Sequence, residues 1–153
     1  MPDIEEIDTP AVLIEVSLVE KNLARAQEHI AARGMLARPH IKTHKLPRFA
    51  HRQIELGAAG ITCQKLSEAE VMADHGIDDI LISYNIIGDG KLKRLRALAD
   101  KIDLSVCVDN AYVVSGLARA MSGAARPLSV LVECDTGSLR CGVMNPQEAL
   151  DLA

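Results

Sequence analysis

The sequence predicts an α/β protein built on a parallel β-sheet, and three observations carry that prediction. Short apolar runs alternate with amphipathic helical segments at intervals of about 20–25 residues. The runs "DILISY", "DLSVCV" and "LSVLVE" are almost continuously apolar, as strands covered on both faces are. No linker or low-complexity tract divides the 153 residues. Two architectures meet these conditions, a doubly wound sheet and a (β/α)8 barrel. A GxGxxG after the first strand would favour the doubly wound sheet, but neither it nor GxxxxGK[ST] occurs.

The elements follow in order. "AVLIEV" (Ala11–Val16) reads as a strand. "SLVE" has capping-box spacing, with Ser17 as N-cap and Glu20 at N3. It opens a helix in which Val19, Leu23, Ala26 and Ile30 share one face, and Gly34 ends it. "LARPHIK" is extended, and a helix over 46–56 stops at Gly57. "GITCQ" is a short strand, followed by a helix with Ser67 as N-cap and Gly76 as stop. "DILISY", a helix over 89–100, "DLSVCV", a helix over 110–121 and "LSVLVE" continue the alternation. "NPQE" pairs an N-cap Asn145 with a first-turn proline and an N3 Glu148, so it opens one more helix.

Composition excludes several function classes. Net charge is −4 and the pI about 5.7, against the basic field that nucleic acid or an anionic membrane requires. The aromatic residues are Phe49, Tyr84 and Tyr112, too few for a base-stacking platform. Apolar runs are far too short to span a bilayer, and the acidic start "MPDIEEID" is not a signal peptide. Cys63, Cys107, Cys134 and Cys141 form no CxxC pair and read as free thiols of a reducing, cytoplasmic compartment.

Two segments stand out chemically. "RPHIKTHK" places Arg38, Lys42 and Lys45 beside His40 and His44 within eight residues. If Leu36–Lys42 is a strand, Arg38, His40 and Lys42 share one face, with Ala37, Pro39 and Ile41 on the other. Lys42 then lies at the strand's C-terminal end, where α/β folds place active sites. There, beside other cations and partly desolvated, its amine should lose its proton easily, as carbonyl chemistry requires. A solvated surface loop is the alternative, and Pro39 favours it because proline removes a ladder donor. His40 and His44 have the i, i+4 spacing of a helical metal pair, but Pro39 also argues against a helix. The second segment, "ECDTGSLRCG" (Glu133–Gly142), follows a strand and so lies on the same rim. Arg140 can donate two parallel hydrogen bonds to an anionic oxygen there. Gln64 and Asn85 end strands on that rim as well.

Together "RPHIKTHK", "CQKLSEAEV", "YNIIG", "CVDNA" and "VECDTGSLRCGV" resemble the N-terminal part of the low-specificity D-threonine aldolases. That family lies close to the D-serine dehydratases among the alanine-racemase-like, fold-type III pyridoxal-phosphate enzymes. The resemblance implies a partial (β/α)8 barrel with about five of eight strands, over residues 17–153. It also implies that the strand in residues 1–16 pairs with a separate β domain. By the same resemblance Lys42 forms a Schiff base with pyridoxal 5′-phosphate, and Arg140, Gln64 and His40 contact that cofactor. The implied reaction is retro-aldol cleavage of D-threonine or a similar D-3-hydroxy amino acid to glycine and an aldehyde. Dehydration of D-serine, racemisation, and non-catalytic cofactor binding of the homeostasis type are the alternatives. A divalent metal of the manganese or zinc type is implied, with its ligands outside this chain, and a homodimer is an open assembly. A complete barrel needs about 250 residues, so a fragment is expected. Its open, apolar edges are expected at "ILI" and "VLV", where strands would pair with other chains.

Overall fold

The computed structural model describes residues 3–153, and its element order follows the alternation in the sequence. Helices α1 (Val16–Ala31), α2 (Pro47–Glu55), α3 (Leu66–Asp74), α4 (Asp89–Ala99), α5 (Ala111–Ala120) and α6 (Pro146–Leu152) alternate with strands from α2 onward. The strands are β1 (Ile61–Cys63), β2 (Asp79–Ile82), β3 (Asp103–Val108) and β4 (Ser129–Val132). They form one parallel sheet in the order β1-β2-β3-β4. A fifth extended stretch lies beside β1. The Thr62 amide donates to the Pro39 carbonyl at 2.8 Å, and a single parallel bridge joins His40 to Thr62. The chain is therefore α/β with consecutive, neighbouring parallel strands, consistent with an incomplete barrel.

Ladder register divides the sheet into two unlike faces. Ile61, Ile80 and Leu104 are partners across the strands, as are Cys63, Ile82 and Val106. All are buried, packed with Leu66, Met72, Leu92, Leu95 and Leu117 of the covering helices. At about 25 cal/mol per Å² of apolar surface, this layer is the main stabilising term of the fold. The alternate residues Thr62, Leu81, Ser105 and Ser129 partner one another on the opposite face. At the N-terminal end of that face, Arg38 donates two hydrogen bonds to the Asp79 carboxylate, at 2.7 and 2.9 Å.

Several expectations need correction. Residues 11–15 form no strand, and α1 starts at Val16; Val12 is 93% exposed, with no neighbouring strand among the described residues to take its backbone hydrogen bonds. Ser17 does not cap α1: Glu15 holds the N-cap position, and the Ser17 hydroxyl donates to the Glu15 carboxylate at 2.6 Å instead. Ser67 lies inside α3, whose N-cap is Lys65. The extended stretch ends at His40, and Ile41–Thr43 form a 3-10 turn, so Lys42 stands just beyond the strand. The apolar side of that stretch holds, since Ala37 and Ile41 are buried. Ile80–Ile82 lie in β2, paired on both sides, so the exposed apolar edge is β4 alone of the two, with Val130 47% and Leu131 46% exposed. The cap at Asn145 is as expected: its side chain accepts from the Glu148 amide at 2.9 Å, and Glu148 accepts from the Met144 amide at 2.7 Å.

Gly60 is required by close approach. A Cβ there would lie 2.3 Å from Arg38 Nη1 and 2.7 Å from the backbone oxygen of Asp79, and a backbone atom in a ladder cannot move aside. Gly60→Ala should therefore cost about 3 kcal/mol, the upper end of ordinary overpacking. Gly34→Ala, where a Cβ meets nothing within 4 Å, should cost about 1 kcal/mol from its left-handed backbone. Urea unfolding midpoints at unchanged slope measure both.

Candidate active site at the C-terminal rim

Lys42 lies on the turn that follows the first extended stretch, at the C-terminal edge of the sheet. It is exposed, not desolvated as expected from the sequence, and its amine has no hydrogen-bonding partner among the described residues. His40 is half-buried beneath it. Its Nδ1 accepts from the Lys42 amide at 3.3 Å, so the neutral ring carries its proton on Nε2, 3.4 Å from Ser83 Oγ. Gln64, at the end of the neighbouring β1, stands beside the same ring. Burial, and then the charge of Lys42, hold His40 below its ordinary pKa of 6.5, against the opposing pull of Gln64 and Glu68. The structure thus brings Lys42, His40 and Gln64 together.

The other two charged motif residues are engaged elsewhere. Lys45 pairs with Glu68 at 3.1 Å. His44 turns inward: its Nδ1 accepts from the Leu46 amide at 3.0 Å, and its ring stands edge-on to Phe49 at 5.7 Å. Its Nε2 and the Gln53 Oε1 are both buried without a hydrogen-bond partner, and burial holds His44 below its ordinary pKa of 6.5. With both Nδ1 atoms occupied and no helix under them, His40 and His44 are not a metal pair. Among the described residues no three His, Cys, Asp or Glu side chains come together as a metal site. The donor set of the described residues does not fit a divalent metal.

Arg140 lies on the loop after β4, on the same rim but at the far end of the arc of strands, and no contact joins it to Lys42 among the described residues. Its guanidinium is exposed, and its backbone amide donates to Asp135 at 3.1 Å. The loop is tied down by Asp109, which follows β3. One Asp109 oxygen accepts from the Gly142 amide at 3.1 Å. The other accepts from the Asn85 and Asn110 side chains, each at 2.7 Å. Only glycine fits at 142: φ is +103°, and a Cβ would lie 2.6 Å from the Asp135 nitrogen. Asp109 and Glu68 are the two organising residues that motif reading passed over. Both follow or approach a strand end with an acid, the signal that had marked Gln64 and Asn85.

All four cysteines are free, and only Cys63 is fully buried; burial first and Glu68 second push its thiol up to about 12. The Cys141 thiol donates to Glu133 at 3.0 Å. No helix is long and apolar enough to cross a membrane among the described residues.

Comparison with known proteins gives the family and the fold. The family model described as alanine racemase, N-terminal domain, matches residues 14–153. A D-threonine aldolase of Arthrobacter sp. is 44% identical over 147 residues, covering 96% of this chain and 39% of that protein. The crystal structure of a D-threonine aldolase from Filomicrobium marinum superposes with a TM-score of 0.93 at 42% identity, over 97% of this chain and 40% of that one. The D-threo-3-hydroxyaspartate dehydratase from Delftia sp. HT23 superposes at 0.83 and 33% identity, over 91% of this chain and 37% of that one, and a variant of that enzyme is described in a metal-free form. The chain spans about 40% of the length of the relatives it matches.

The two buried-rim carboxylates set a pH dependence. Burial raises the pKa of Asp109 and of Glu68, but the hydrogen bonds from Gly142 and Asn85 to the first, and from Gln64 and Lys45 to the second, outweigh it, so both lie below their ordinary values. A depressed folded pKa means stability that is present above the ordinary carboxylate range and lost as pH falls through the folded values. Amide exchange at Gly142 and Gln64, corrected for intrinsic rates, should therefore accelerate below about pH 4. Asp109→Asn should remove the acid-dependent step at Gly142 and leave the one at Gln64.

Proposed function

The chain belongs to the family of the alanine racemase N-terminal domain, and from that premise we propose that it carries the lysine-bearing part of a pyridoxal-phosphate-dependent lyase. The proposed reaction is cleavage of D-threonine or a similar D-3-hydroxy amino acid to glycine and an aldehyde. One observation carries this reading: of the two motif lysines, Lys42 alone offers an unengaged amine at the C-terminal rim, beside a neutral imidazole. An accessible primary amine on that rim fits a carbonyl cofactor. The substrate class is supported by relatives named for D-threonine and for D-threo-3-hydroxyaspartate, both D-3-hydroxy amino acids.

In this reading Lys42 Nζ holds the cofactor covalently. Gln64 and His40 line its near side, where His40 offers an N–H and not a lone pair. Arg140 donates to an anionic oxygen of the cofactor from the opposite side of the rim. When bound, pyridoxal phosphate supplies a conjugated electron sink for the carbanion left by Cα–Cβ cleavage. A divalent metal that orients the substrate hydroxyl is part of the proposal, but the described residues offer no ligand cluster for one, and no step here depends on it. Four free cysteines accord with a cytoplasmic setting.

Dehydration is the second reading, favoured by the Delftia enzyme. It uses the same cofactor residues and differs in product: an oxo acid and ammonia instead of glycine and an aldehyde. Product analysis on D-threonine distinguishes the two.

Reduction with borohydride in the presence of pyridoxal phosphate, followed by peptide mapping, should place the pyridoxyl group on Lys42. Finding it on Lys45 would sink the assignment. Arg140→Ala should weaken pyridoxal phosphate binding about tenfold, the worth of one charge-assisted hydrogen bond. It should also shift the bound-cofactor absorbance, while moving the melting temperature by less than about 2 °C. A large stability loss with an unchanged spectrum would make the arginine structural.

A further inference from the structure

We infer that Glu68 is a positioning residue that decides which of the two motif lysines stands free. The inference rests on the function proposed above and adds to it the device that separates Lys42 from Lys45. Glu68 is 8% exposed, and each of its oxygens is committed. Oε2 accepts the Gln64 amide at 2.9 Å, and Oε1 lies 3.1 Å from Lys45 Nζ. An acid in the first turn of α3 needs only the first of these to satisfy the amide at the end of β1. The second reaches across to another segment of chain and captures an amine.

The backbone of that segment is unusual at the same residue. Lys45 has φ +56°, a left-handed conformation rarely adopted by a residue with a long side chain. It is held at both ends, since its amide donates to the Ile41 carbonyl at 2.7 Å and its amine is held by Glu68. Strained residues fixed from several directions cluster at functional turns. Here the fixed residue closes the turn that presents Lys42. The Lys42 amide is anchored on His40, and its amine is left in solvent. Two primary amines three residues apart would otherwise compete for one carbonyl. The buried carboxylate removes one competitor and orients the turn for the other.

The test compares the amines in the full chain and in Glu68→Gln, which keeps an acceptor for the Gln64 amide and loses the charge. Trace acetylation reads reactivity without cofactor. In the wild type Lys45 should react more slowly than Lys42, on the order of fivefold, the size expected of one partly exposed ion pair; in Glu68→Gln the difference should vanish. Borohydride trapping with pyridoxal phosphate should then move from Lys42 alone to a mixture on Lys42 and Lys45. If Glu68→Gln does not fold, Glu68→Asp, too short to hold both partners, is read in its place. Equal acetylation of the two lysines in the wild type, or an unchanged label distribution in a folded variant, overturns the inference. A wild type that shows the acetylation difference yet takes no pyridoxyl group on either lysine supports this inference and overturns the proposed function.

Discussion

The register of the parallel ladder is the constraint on which the rest of the molecule depends. Ile61, Ile80 and Leu104 stand in one row, with Cys63, Ile82 and Val106 in the next, and both rows go under the helices. Side chains alternate along a strand, so burying these rows sends Thr62, Leu81, Ser105 and Ser129 to the other face, with His40 beside them through its bridge to Thr62. A slip of one residue would exchange the faces and bring serine and threonine into the apolar layer. The hydrophobic term therefore places the chemistry as well as stabilising the fold. The Arg38–Asp79 pair occupies the N-terminal end of the open face, so the uncommitted amine is found at the C-terminal end.

The rim is organised by two carboxylates that work alike. Asp109 and Glu68 are each partly desolvated, which by itself disfavours their charge, and each has both oxygens hydrogen-bonded, which restores it. Each joins a strand end to a loop that bears a cation: Asp109 to the loop of Arg140, Glu68 to the turn of Lys42 and Lys45. Such residues supply geometry. Their charge is spent on backbone amides and a lysine, so neither is placed to accept a proton from a substrate at neutral pH.

Much of this was legible in the sequence, and the exceptions share a cause. Helix placement, the cap at Asn145, the parallel character of the sheet and the prominence of Lys42 follow from periodicity, cap chemistry and motif spacing, all local signals. Strand order is not local, so "ILI" reads the same at an edge as in the interior, where two neighbours pair with it. Ser17 and Ser67 sit in sequence contexts that suit a cap, but a nearby Glu15 carboxylate takes the hydroxyl of the first. Pro39 ends the extended stretch early because it offers no N–H, and two residues later the chain tightens into a 3-10 turn. The role of Glu68 was illegible for a different reason. An acid in the first turn of a helix is ordinary, and only the left-handed backbone of Lys45, 23 positions earlier, gives it a second meaning.

The same protonation states narrow what this rim can do in catalysis. Among Lys42, His40, His44, Glu68 and Asp109, four have their basic atoms engaged. His40 and His44 each use Nδ1 to accept a backbone amide, and each carries its proton on Nε2. Glu68 and Asp109 are held below their ordinary pKa by the bonds they accept. Lys42 is the remaining member, and its nitrogen is the one basic atom of the set without a partner among the described residues, so on the proposed function it would hold the carbonyl cofactor and move a proton. Cleavage and dehydration of a D-3-hydroxy amino acid make different demands on proton placement. Cleavage needs the hydroxyl proton removed; dehydration needs the Cα proton removed and the hydroxyl protonated. On the proposed function, a rim with one mobile proton acceptor would serve either reaction for one of these transfers. The choice between them would then, on the same proposed function, turn on where the substrate hydroxyl is held relative to Lys42, a question of orientation more than of the acid–base groups this chain provides.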